Sequence, residues 1–143
     1  MQVIGFNFDK IQAERKNPVK GKLEIGSNID IKSIAEEKLE LIKDKSSLKV
    51  DFEFTVDYKP DVANIVFNGN VMILLEKDQA KNILKKWKKK EMPVEFKVPL
   101  FNFILTKSNL KAMQLEEELN LPTHIPLPKL KAPSEQQGKP YAG

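Results

Sequence analysis

The sequence predicts an α+β protein: a twisted antiparallel sheet of about four strands, then a short lysine-rich helix, a long C-terminal helix and a Pro-rich extended tail. Three observations predict it. From Leu48 to Tyr58 every even position is apolar or aromatic (Leu48, Val50, Phe52, Phe54, Val56, Tyr58), while the odd ones are Lys49, Asp51, Glu53, Thr55 and Asp57. That period of two describes a strand with one buried face. After the turn Lys59 to Asp61 the odd positions Ile65, Phe67, Val71, Ile73 and Leu75 repeat it, with Gly69 as a bulge or close-approach point. Past Leu75 the apolar spacing changes to helical, and the helices are placed to cover the hairpin's apolar face.

In chain order, Val3 to Glu14 reads as a first strand. Phe6 and Phe8 share a face, and the parity then shifts so that Ile11 and Ala13 continue it, which places a bulge near Asp9. Asn17, Pro18 and Gly21 mark a turn. Leu23, Ile25, Ile29 and Ile31 alternate with polar residues, and Leu39 and Leu41 resume the odd parity, so the second strand is expected to run irregularly to Ile42. The Leu48 to Leu75 hairpin supplies strands three and four. Ala80, Ile83, Leu84 and Trp87 then fall at i, i+3, i+4 and i+7, one helical stripe, with Glu76 or Asp78 placed to cap the start and Pro93 closing it. Trp87 lies in that stripe and is read as core.

The second helix is expected from about Val98, with Pro99 in the tolerated first turn. Phe101, Ile104, Leu105, Ser108, Ala112, Leu115 and Leu119 form one stripe, and Leu100, Phe103, Leu110 and Met113 widen it until the first half is apolar nearly all round. Such a helix is buried on more than one side. Phe67, Leu100, Phe101, Phe103 and Leu105 are therefore the expected oligomer or client face, a twofold interface being preferred because a single sheet protects one helix face only. Pro122, Pro126, Pro128, Pro133 and Pro140 exclude a further regular helix. The domain is expected over 1–128 and a basic tail over 129–143.

Composition narrows the function. The 143 residues suffice for one domain, and with no cysteine there is neither a disulfide framework nor a thiolate metal cluster. Together with the absence of an export leader or membrane span, this leads to a cytoplasmic expectation. Charged residues are 31% of the chain, lysine dominating, a bias found in proteins of thermophiles. No catalytic group can be assembled. His124 is the single histidine and has no second imidazole or Cys beside it; Asp51, Glu53 and Asp57 share the solvent face of one strand. Neither Gly26 nor Gly69 belongs to a phosphate loop. The expectation is a non-enzyme without metal or cofactor.

The positive charge is concentrated. Between Glu76 and Lys97 eight lysines stand against four acids, and the net charge is +4. Lys81, Lys85, Lys86, Lys88, Lys89 and Lys90 on the first helix, with Lys129, Lys131 and Lys139 in the tail, form a cationic surface suited to phosphates. The leading expectation is a ribosome-associated protein that holds ribosomal RNA or a ribosomal protein, as a homodimer that bridges or blocks subunits.

The alternating hairpin Leu48 to Leu75 and the run NFILTKSNLKAMQLEEELNLPTHIPLP also make the chain resemble the preprotein-export chaperone SecB and its archaeal relatives, over Phe6 to Pro128. The resemblance implies an antiparallel sheet backed by helices, self-pairing through sheet edges and helix faces, and an apolar groove for unfolded polypeptide near Phe67, Phe101 and Leu105. It makes a holdase the alternative function, with an assembly adaptor as a further one. Two departures stand out: the family's acidic surface has no counterpart in this basic chain, and neither does a basic Pro-rich tail.

Overall fold

A computed structural model of the chain describes residues 1–38, 43–130 and 132. Strands β1 (Gln2–Arg15), β2 (Glu24–Glu37), β3 (Lys45–Lys59) and β4 (Ala63–Glu76) are followed by helices α1 (Lys77–Trp87) and α2 (Val94–Glu118). All four strands pair antiparallel in the order β1-β4-β3-β2, so the β3–β4 hairpin forms the centre and β1 and β2 the two edges.

The register follows from burial. Phe54 lies opposite Phe67, Val56 opposite Ile65 and Leu48 opposite Ile73, which puts the even residues of β3 and the odd ones of β4 on one inner face. Leu48, Val50, Phe54, Val56, Ile65, Phe67, Val71 and Ile73 are fully buried there. Each such side chain contributes about 1.5–3 kcal/mol, against roughly 0.2–1 kcal/mol for a polar cross-strand pair on the outer face. The inner face therefore sets the pairing, and a slip by one residue would turn it all to water.

Register shifts mark the edges. In β1 they fall between Val3 and Gly5 and between Phe8 and Lys10, so the bulge expected near Asp9 is present; Asn70 Nδ2 donates to its carboxylate at 3.1 Å. In β2 the shift lies between Ile31 and Ser33 and turns Ile34 into the core, where the alternation in the sequence predicts odd parity as far as Leu41. Positions 39–42 lie outside the described residues. The extra residue of the second β1 shift is Asp9, opposite the Gly69–Asn68 step, so Gly69 itself is not bulged. It is a close-approach point: a Cβ there would stand 2.4 Å from the Asn7 carbonyl oxygen and 2.8 Å from Phe52 Cζ.

Helix α2 begins at Val94, earlier than expected, with the Pro93 carbonyl accepting from the Phe96 and Lys97 amides at 3.0 and 2.8 Å. Pro99 thus lies inside the helix, where it cannot donate to the Glu95 carbonyl. Burial of Phe96 and Leu100 on the turns around it offsets that loss. The fully buried line runs Phe96, Leu100, Ile104, Ser108, Ala112, Glu116, in steps of four. Four residues overshoot one turn by about 40°, so the line of contact winds around the helix. This is why the helix reads as apolar on nearly all sides while each turn buries only one. The helix ends in a Schellman arrangement: Asn120 adopts φ 54° and donates to the Glu117 carbonyl at 3.1 Å, and Leu121 donates to that of Glu116 at 2.8 Å. The chain then doubles back along the helix.

Helix α1 buries Ala80 and Ile83, and Leu84 and Trp87 pack half-buried on the core. The expected cap is not made. Glu76 occupies the N-cap position without a side-chain cap bond, and its carboxylate pairs with Lys45 instead.

Candidate functional site

Phe96 and Leu75 line one small depression at the C-terminal end of β4, whereas Glu116 meets Tyr58 at the other end of the sheet. Helix α2 therefore runs the length of the sheet over the β3–β4 centre and leaves a flank on each side, toward β1 and toward β2.

The β1 flank is bracketed by two contacts. Phe6 packs edge-on against Phe103 with ring centroids 5.7 Å apart, and Arg15 Nη1 donates to the carbonyls of Leu119 and Asn120 at 3.1 and 3.0 Å. Between them β1 and α2 run side by side for nine residues of strand, about 30 Å at strand rise. The floor of this opening is aromatic: Phe8 packs against Phe67 at 5.1 Å and against Phe6 at 5.0 Å. It stays open to solvent at Ile11, which is 46% exposed. Lys107 Nζ stands 5.8 Å from the Phe103 ring at the rim. The outer edge of β1 carries no neighbouring strand among the described residues.

The β2 flank is filled. The segment 121–125 returns along it, pinned by a buried polar cluster. Glu116 is fully buried; its Oε2 accepts from His124 Nδ1 at 2.8 Å and from the Tyr58 hydroxyl at 2.7 Å, and its Oε1 accepts from the His124 amide at 3.3 Å. The Tyr58 hydroxyl also reaches the Pro122 carbonyl at 2.6 Å, and its single proton is shared between the two acceptors. His124 Nε2 lies 2.7 Å from Asn109 Oδ1 and the ring packs edge-on against Phe54. Burial, with the Glu116 hydrogen bond and charge beside it, holds the Tyr58 phenol far above the ordinary tyrosine range.

The expected site residues separate into three groups. Phe67 and Leu100 are fully buried within one chain and cannot meet a partner or client; Phe67 is sealed by Phe54 and Phe8, and Leu100 lies on the winding line of contact. Phe101, Phe103 and Leu105 are half-buried, Phe103 toward the β1 groove. Phe101 and Leu105 continue the exposed Val94 and Val98 along one side of α2 at helical spacing. Among the lysines, Lys81, Lys85, Lys86, Lys88, Lys89, Lys90 and Lys129 are exposed, with Lys90 Nζ 4.5 Å from the Trp87 ring; Lys131 and Lys139 lie outside the described residues. The opposite face of α1 is committed to the core.

Net charge proved a poor guide to the surface. The outer face of the sheet presents Asp30, Asp51, Glu53 and Asp57 on the two strands β2 and β3, with Asp9 on β1. Asp30 pairs there with Lys32 at 2.8 Å and Lys49 shares the face of β3, so charges of both signs alternate on it.

No protein-family model and no curated protein matches the sequence. Among solved structures, the chain is similar to the Mycobacterium tuberculosis SecB-like chaperone Rv1957, determined in complex with a ChAD peptide from the HigA1 antitoxin. The similarity covers 93% of this chain and 92% of that one, at 15% identity and a TM-score of 0.48. The expectation of ribosome association is corrected by this finding: the similarity retrieved is to a chaperone, and ribosome, RNA-binding and translation roles have no support. The lysines of α1 read instead as the solvated side of a helix anchored by Ala80 and Ile83. Among the described residues no helix is long and apolar enough to cross a membrane.

Proposed function

We propose that the protein is a non-enzymatic, SecB-like holdase that shields extended apolar stretches of unfolded polypeptide in the groove between β1 and α2. The observation that carries this reading is the open aromatic floor between the Phe6–Phe103 and Arg15–Leu119 contacts. Exposed apolar surface is costly for a chain that does not use it, and here it lies along β1 between two contacts about nine strand residues apart. An extended peptide beside β1 can hydrogen-bond the free edge and drop alternate side chains onto Phe8 and Ile11. The bulge at Asp9 breaks the ladder, which limits how far a strand can add and disfavours uncontrolled edge-to-edge pairing. A cytoplasmic place of action accords with the lack of cysteine. Self-association belongs to the same reading, with the stripe Val94, Val98, Phe101 and Leu105 as its apolar seam.

The test is suppression of aggregation of a chemically unfolded client on dilution. Ile11→Asp introduces charge into the groove at an exposed position, so the melting temperature should stay within about 2 °C of the wild type while suppression is lost. Full suppression by the folded variant would overturn the groove as the client site.

A further inference from the structure

The two flanks of α2 are alike in position and differ in occupancy, and what fills the β2 flank is itself an extended apolar peptide. The segment 121–130, LPTHIPLPKL, has no regular secondary structure; Leu121 is buried, Thr123, His124 and Ile125 are half-buried, and residues 126–130 are exposed. The His124 ring packs on Phe54 and the Pro122 carbonyl meets the Tyr58 hydroxyl, two β3 residues whose register partners on β2 are Ile29 and Ile25, both half-buried. Its hydrogen bonds to the body are few: the Leu121 amide to the Glu116 carbonyl, the Tyr58 hydroxyl to the Pro122 carbonyl, and the His124 amide and ring to Glu116 and Asn109. Beyond Ile125 no hydrogen bond to the body holds it among the described residues.

We infer that the β2 flank is a second polypeptide-binding surface, occupied in this structure by the chain's own segment 121–125 as a built-in competitor, and that an extended apolar client displaces it. The inference rests on the holdase reading and deepens it: the natural occupant shows the class of ligand, an extended, proline-tolerant apolar peptide with one polar residue to meet Glu116. Displacement is local because the segment is pinned at one cluster. Tethering raises its effective concentration, so a free ligand binds more weakly than the bare surface would allow, by the fraction of time the surface is uncovered.

The probe is a fluorescein-labelled peptide of residues 121–130, followed by anisotropy with full-length protein. His124→Ala removes the pin and should tighten probe binding at least tenfold over the wild type. In case that variant misfolds, a second measurement uses the wild type alone. Saturating unlabelled peptide should speed hydrogen exchange of the backbone amides at 123–125, as its own strap is expelled. The inference is overturned if folded His124→Ala binds the probe no better than wild type, or if excess peptide leaves exchange at 123–125 unchanged. The groove variant Ile11→Asp keeps the two readings apart. If it abolishes client suppression while both strap measurements fail, the holdase reading stands and this inference alone falls; if suppression is also unaffected, both fall.

Discussion

The Tyr58 hydroxyl and the Glu116 carboxylate meet at 2.7 Å in a place where neither side chain touches water, joining the end of the central strand to the last turn of α2. A phenol in that position is kept neutral: desolvation disfavours the phenolate, and the neighbouring carboxylate repels it.

A dependence of stability on alkaline pH follows. In the unfolded chain Tyr58 ionises near pH 10, whereas in the fold its pKa is raised well above that. The unfolded state therefore loses a proton that the folded state keeps, so the contribution is fully present below about pH 10 and declines as pH rises above it. Urea unfolding between pH 9 and 11 should show a falling unfolding free energy for the wild type and a shallower fall for Tyr58→Phe. Parallel slopes for the two proteins would show that Tyr58 ionises normally in the fold.

The pairing of Glu116 with His124 is the kind of buried contact whose loss depends on what is left behind. Their side chains are 0% and 1% exposed. Glu116→Leu strands the imidazole and the Tyr58 hydroxyl in an apolar site and should cost about 3–5 kcal/mol, while Glu116→Leu with His124→Leu removes both ionisable partners and should recover a large part of that. A double-mutant cycle by denaturant titration measures the coupling. Additive losses in the double variant would mean that the two residues stabilise the fold independently.

How far the sequence discloses this structure depends on the range of each signal. The β3–β4 hairpin and the Asp9 bulge are legible because alternation and its change of phase are local, as in Phe8 to Ile11. The Lys32 bulge is hidden, since Leu39 and Leu41 return to the parity of Ile31 and conceal the inward turn of Ile34. Helix α2 is misplaced at its start because Pro99 reads as a first-turn residue, and the tertiary burial of Phe96 overrides that preference. The lysines were conspicuous in sequence yet lie on a solvated face. Glu116, the residue that organises the β2 flank, resembles its charged neighbours Glu117 and Glu118. Its one local mark is position: it continues the four-residue steps of Ile104, Ser108 and Ala112, and only Tyr58 and His124, 58 and 8 residues away, make a carboxylate there tolerable.

Gly69 offers a test of the aromatic floor that does not touch the groove walls. It lies opposite Phe8 on one side and Phe52 on the other, and the Phe52 ring, which stacks on Phe6 at 5.6 Å, occupies the space a side chain would need. Removing Gly from a strand ordinarily helps, by roughly 0.5–1 kcal/mol through the unfolded state. Here a methyl group would meet a backbone oxygen at 2.4 Å, and strand β1 cannot retreat without breaking its pairing with β4. The steric term should win, so Gly69→Ala is expected to destabilise the protein by about 1–3 kcal/mol. Thermal unfolding monitored by circular dichroism gives the sign directly, and a melting temperature equal to or above that of the wild type would show that β1 is not held against β4 at this point.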